Sequence, residues 1–199
     1  MKLNQLLISI CGVTTAISMT MTAEANSSES RLELLQESYS DLIQSLQQGT
    51  QLPLRLPSFL PTHGGWEQGE SIPYFLNLAT SQPSSYSFYL DLRDNCNGAT
   101  ACNQGEIRAK QVEPTMPSLE QDQWVDSYEQ GDLITVELAQ EIQAIFAPSV
   151  CQVYCNYARM IFDFDGVRYF VGLQVGEKEQ LEKTANSIIS NPITQTGSE

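Results

Sequence analysis

The sequence predicts a single α+β domain: a twisted antiparallel sheet with an N-terminal and a C-terminal helix packed on it. Three observations lead there. Residues 85–93, SYSFYLDLR, alternate apolar and polar side chains with the two-residue period of a strand. Residues 157–174 hold two such runs joined by Asp165-Gly166, the dipeptide favoured in a two-residue hairpin turn. Both flanks of the folded region, SSESRLELLQESYSDLIQSLQQG and EKEQLEKTANSII, carry apolar residues at spacings of three and four.

The elements follow in order. Residues 1–25 carry Lys2, then no charge until Glu24, and end in Ala23-Glu24-Ala25. That is the pattern of a secretory signal peptide cleaved near Ala25. A membrane anchor is the rival reading, but Thr and Ser dilute the run. A lipid on Cys11 is a third, but Ile10 is a poor residue to precede it. The mature chain is therefore expected in the periplasm or outside the cell, with no transmembrane helix of its own. Residues 26–50 form the N-terminal helix. Leu32, Leu35, Tyr39, Leu42, Ile43 and Leu46 share a face, Ser30 with Glu33 makes a capping box, and Gly49 is the stop. The helix is expected to pack on the domain; an arm protruding towards a partner is the alternative.

Residues 51–190 form the disulfide-containing α+β domain. Prolines 53, 57 and 61 restrict LPLRLPSFLP to an edge strand or an extended lead-in. In 85–93, Tyr86, Phe88, Leu90 and Leu92 face one way, and Ser85, Ser87, Tyr89, Asp91 and Arg93 the other. GEIRAKQV, residues 105–112, returns as the antiparallel partner. Residues 112–131 read as a polar loop. DLITVEL and EIQAIFA read as short strands, the second also as a helical turn.

The Asp165-Gly166 turn sets a register for its hairpin. Phe164 faces Val167, Phe162 faces Tyr169, Met160 faces Val171 and Ala158 faces Leu173, all on the core side. On the opposite side Asp163 meets Arg168 in an exposed pair worth about 0.2–1 kcal/mol. In the closing helix Leu181, Ala185 and Ile188 share a face, Glu177 and Glu179 suit its N-terminus, and Glu179 pairs with Lys183. Residues 191–199 read as a disordered tail.

Four cysteines follow the leader: Cys96, Cys102, Cys151 and Cys155. An even count in an exported chain points to disulfides. The spacings C-x5-C and C-x3-C, with His63 the only histidine, do not suit zinc. Three pairings are open. Chain entropy favours a bridge between the clusters, about 4 kcal/mol against about 2–2.5 for a local loop. Adjacency and the small turn-formers Asn97, Gly98 and Ala99 favour Cys96–Cys102 and Cys151–Cys155, the pairing expected here.

The segments LPSFLP, CNGATAC, the C-x3-C cluster and GVRYFVGLQVGEKEQLEKTANSII together resemble a group of uncharacterised exported proteins of cyanobacteria. The hairpin followed by a helix ending in Ala185-Asn186-Ser187 also resembles small bacterial envelope domains. Some of those are remotely similar to lipoprotein-carrier and sigma-regulator sensor folds. The resemblance spans roughly residues 52–190, and the cysteine-bearing segment is its specific part. It implies an exported compartment and an α+β fold; it carries no catalytic motif to transfer.

The chemistry that can be excluded is more definite than the chemistry that can be assigned. Net charge is −14 at pH 7. Such a surface repels phosphate backbones and anionic headgroups, so nucleic acid is not an expected partner. THGGW, residues 62–66, has the His-Gly-Gly of an esterase oxyanion loop, but no G-x-S-x-G elbow accompanies it; a tight turn accounts for the glycines. Asp163 and Asp165 serve the hairpin turn rather than a glycosidase pair. DNCNG, residues 94–98, resembles a calcium loop with Cys96 where an oxygen ligand is needed. No catalytic residue, cofactor or metal set is assigned. The expected function is a noncatalytic envelope module that binds a protein, lipid or glycan, with Trp66 and Trp124 as candidate ligand-contacting aromatics. The alternative is a hydrolytic or glycan-modifying enzyme assembled by the fold.

Overall fold

The computed structural model describes residues 40–61, 63–64, 71–72, 74–125, 132–151, 156–174 and 176–193. The leader, the first part of the N-terminal helix, Trp66, Cys155 and residues 194–199 lie outside these. The elements are α1 (Ser40–Gly49), β1 (His63–Gly64), β2 (Ser71–Ile72), β3 (Phe75–Gln82), β4 (Ser85–Asp91), β5 (Asn103–Gln111), β6 (Ile134–Glu137), β7 (Gln143–Ala147), β8 (Ala158–Phe164), β9 (Val167–Leu173) and α2 (Lys178–Ser190). β1 and β2 form a small antiparallel ladder of their own. The others form one antiparallel sheet in the order β3-β4-β5-β9-β8-β7-β6, seven strands among the described residues. The predicted class, an α+β domain with helices on a sheet, is what is found.

Two meanders make this sheet: β3-β4-β5 and β6-β7-β8-β9, joined where β5 pairs with β9. The chain leaves β5 in the middle of the sheet and re-enters at the far edge. That crossing covers four strand spacings, roughly 19 Å. Residues 112–125 make the first part of it across the face opposite the helices. Read from sequence as a polar loop, this segment buries Val125 against Ala147, Ile161 and Phe170. β9 is thus covered on both faces, and every residue in it is buried.

The helices lie on the other face. Leu42 and Leu46 of α1, and Leu181, Ala185 and Ile188 of α2, join Tyr86, Phe88, Ile107, Met160, Phe162 and Tyr169 in one core. α1 packs on β3 as expected of a docked helix, and its end requires glycine: a Cβ on Gly49 would sit 2.1 Å from Ser81 Oγ. α2 begins as its sequence indicates. The Gln180 side chain accepts the Glu177 N–H at 3.1 Å, and Lys183 meets Glu179 at 2.8 Å.

The proline-spaced segment is an extended lead-in outside the main sheet. Leu52, Leu54, Leu56 and Leu60 are buried, and the Tyr86 hydroxyl donates to the Arg55 carbonyl at 3.2 Å. The lead-in also holds the chain beyond α2. Ile193 N–H donates to Leu54 O at 2.9 Å, and Asn191 hydrogen-bonds Ser58. Asn191, Pro192 and Ile193 therefore belong to the packed domain and not to a tail.

In the β8–β9 hairpin the register is the one read from the turn: Phe164 opposite Val167, Phe162 opposite Tyr169, Met160 opposite Val171 and Ala158 opposite Leu173. Asp165 and Gly166 have φ of 52° and 73°, the positive pair that a type I′ turn needs. EIQAIFA is mostly strand, Gln143–Ala147, with Glu141 closing a short 3-10 turn over Ala139–Glu141. One expectation fails. The Asp163–Arg168 pair is buried at its Arg168 end: Arg168 is 3% exposed, because the crossing segment lies over it, while Asp163 stays partly exposed. Its guanidinium donates to both Asp163 oxygens at 2.8 and 2.9 Å, to Asp122 at 2.6 Å and to the Pro117 carbonyl at 2.9 Å.

Cys96 and Cys102 form a disulfide with Cα atoms 6.0 Å apart. That excludes any bridge from either of them to the second cluster. Cys151 is disulfide-bonded too; Cys155, its expected partner, lies outside the described residues. Among the described residues no helix is long and apolar enough to cross a membrane.

Candidate functional site

The alternation that buries Tyr86, Phe88, Leu90, Ile107 and Ala109 sends the intervening side chains to the second face. There three cross-strand pairs lie side by side: Ser85 opposite Lys110, Ser87 opposite Arg108, Tyr89 opposite Glu106. They floor a cleft of about 360 Å³, open to solvent. A register shift between Leu78 and Thr80 in β3 brings both Ala79 and Thr80 to one rim. The opposite wall is Trp124.

Trp124 is clamped from several sides. Asp122 Oδ1 accepts its N–H at 2.9 Å, and its carbonyl accepts from Arg159 Nη1 at 2.7 Å. Its ring meets Phe170 edge-on at 5.4 Å. The Arg108 guanidinium stands 5.2 Å from the Phe170 ring centre and 6.0 Å from that of Trp124. Asp122 is itself fixed by Arg168. The buried Arg168 therefore supports the wall of the cleft, and the Asp163 and Asp122 carboxylates hold its charge on by raising its pKa further.

The disulfide loop supports the other end. Gly98 has φ of 75°, and a Cβ there would fall 2.6 Å from the Tyr89 ring, so the loop backbone rests on that ring. Gly98 N–H donates to Asp91 Oδ2 at 3.2 Å. Asp91, fully buried, also accepts from Asn77 and Asn103, each at 2.8 Å. The Tyr157 hydroxyl donates to Asn103 Oδ1. Burial, then the nearby carboxylates of Glu106 and Asp91, raise the Tyr157 pKa and keep it a donor. With three donors on it, the Asp91 carboxylate serves as a loop anchor.

Among the described residues lining the cleft, Glu106 is the one carboxylate, and Arg108 binds it at 2.6 Å. The cleft offers an aromatic wall, a second aromatic ring, hydroxyls and charged side chains, a lining that suits holding a ligand.

Of the residues singled out from sequence, Trp124 reaches the cleft and Cys96–Cys102 closes the loop beneath Tyr89. Trp66 lies outside the described residues. The sequence places Ser85, Ser87 and Tyr89 on the polar side of their strand and assigns no side to Arg108 or Lys110. The antiparallel direction of β4 and β5 is legible in the sequence; the register that pairs these residues comes from the structure. That Trp124 would stand over them depends on the crossing of 112–125, which has no local signature. Comparison with family models, curated proteins and solved structures finds no match to this chain.

Proposed function

We propose that this chain is a noncatalytic binding module exported to the bacterial periplasm or cell surface, and that the cleft on the second sheet face receives its ligand. The observation that carries the reading is the fixed position of Trp124. Its backbone is held on both sides and its ring is braced, so a ligand meets a formed wall and little ordering is left to occur on binding. The signal-peptide pattern of residues 1–25 and the Cys96–Cys102 disulfide support the exported location.

Native mass spectrometry of protein purified from an envelope fraction tests the binding role. Wild type should retain a small ligand, and Trp124→Ala, with its fold verified by circular dichroism, should lose it. Equal retention by both would place the ligand elsewhere and contradict the assignment. N-terminal sequencing of the exported protein should begin near Asn26; a chain retaining Met1 in the cytoplasm would contradict the location.

A further inference from the structure

Resting on the reading of the cleft as a binding site, we infer that its ligand is an acidic glycan: a sugar ring carrying a carboxylate. The cleft differs in charge from the molecule around it. The chain bears 24 carboxylate residues against 10 lysines and arginines. Among the described residues lining the cleft the balance is reversed, with Arg108 and Lys110 against Glu106. Arg108 is committed to Glu106 at 2.6 Å. On the same face Arg168 is neutralised by Asp163 and Asp122, and Arg159 is turned to the Trp124 carbonyl. Among the described residues Lys110 takes part in none of the ion pairs that hold Lys178, Lys183, Arg55, Arg108 and Arg168. It is half-buried on the floor, opposite Ser85. A cation placed there attracts an anion, and the surrounding acidity makes it specific: a ligand that misses the cleft meets repulsion.

The rest of the floor restricts what carries that anion. Trp124 and Tyr89 line the cleft with aromatic side chains, and Ser85, Ser87 and Thr80 line it with hydroxyl-bearing ones. A sugar ring has apolar C–H faces for the rings and hydroxyls at its edge for the serines. A bare inorganic anion would leave both aromatics unused. At about 360 Å³ the cleft is at the small end of the roughly 300–1,000 Å³ range of ligand sites, room for one or two rings.

Fluorescence titration with short oligouronates, their methyl esters and oligoglutamate separates the outcomes. Wild type should bind the oligouronate at least tenfold more tightly than its ester, because the ester keeps the ring and removes the charge. Lys110→Gln should abolish that difference, bringing the affinity for the acid down to the level of the ester. Trp124→Ala should weaken both. Equal binding of acid and ester, still lost in Trp124→Ala, would overturn the acidic class and leave the cleft standing. Oligouronate binding unaffected by Trp124→Ala would overturn the cleft itself. Oligoglutamate binding as tight as the oligouronate would show that charge alone is read, and failure to bind any uronate would overturn the glycan class.

Discussion

Arg168 shows how one side chain changes meaning between sequence and structure. Opposite Asp163 on a hairpin it reads as half of an exposed pair, the kind whose loss costs under about 1 kcal/mol. Beneath the crossing segment it is a buried cation with four acceptor contacts on three residues. Removing one member of a buried pair leaves the other charge unpaired, at about 3–5 kcal/mol. Urea unfolding of Arg168→Ala should show a loss of that size, comparable with the about 3–5 kcal/mol expected for Phe162→Ala, whose ring is fully buried and stacked on Tyr169. A loss under about 1 kcal/mol at Arg168 would mean that the segment 112–125 does not cover it. Gly98 is the second position of this kind. An alanine there meets both a positive φ and the Tyr89 ring, so Gly98→Ala should lower stability by at least about 1 kcal/mol and weaken ligand binding together. Stability lost with affinity intact would separate the loop from the site.

At the scale of elements, what was legible was what repeats locally. The β8–β9 hairpin is written in its turn dipeptide and in four facing apolar pairs, and its register needed no other part of the chain. The antiparallel return of β5 beside β4 and the helix faces are legible from local alternation and spacing, though the β4–β5 register is not. The extended lead-in was limited by its prolines, yet its place against α2 and Ile193 was not visible, because hydrogen bonds such as Ile193 to Leu54 join residues far apart in sequence. The crossing of 112–125 was hidden more completely. Its inward-facing positions, Met116, Leu119, Asp122 and Val125, mix a charged residue with apolar ones, so they make no apolar stripe. The Cys96–Cys102 loop stands between these cases: its pairing was readable, its contact with Tyr89 was not. Replacing both cysteines by serine should cost about 2–2.5 kcal/mol by chain entropy, measured by thermal or urea unfolding. It should also lower affinity at the cleft through Tyr89. A variant with full affinity would leave the bridge as a stabiliser of its own loop only.

For the molecule as a whole, the two sheet faces divide the work. One is sealed by α1, α2 and the lead-in; the other is partly covered by the crossing segment and leaves the cleft beside it. The sealed face contains tyrosines whose ionisation the fold resists. Burial pushes Tyr86 up, and pushes Tyr169 to about 12; Tyr74 is raised to about 12 in the same way. A raised folded-state pKa means the unfolded chain ionises first, near pH 10. The stability from these groups is therefore intact below about pH 10 and is lost as pH rises towards about 12. Urea midpoints should hold steady up to the onset of tyrosine ionisation and fall beyond it; a midpoint unchanged to pH 12 would mean these rings are solvated. The open face carries the functional claim, and chemical-shift mapping tests it most directly. Isotopically labelled protein titrated with envelope glycan fragments should show its largest shifts at the amides of Ser85, Ser87, Tyr89, Arg108 and Lys110 and at the Trp124 indole. Shifts confined to α1, α2 or the lead-in, with these positions unmoved, would contradict it.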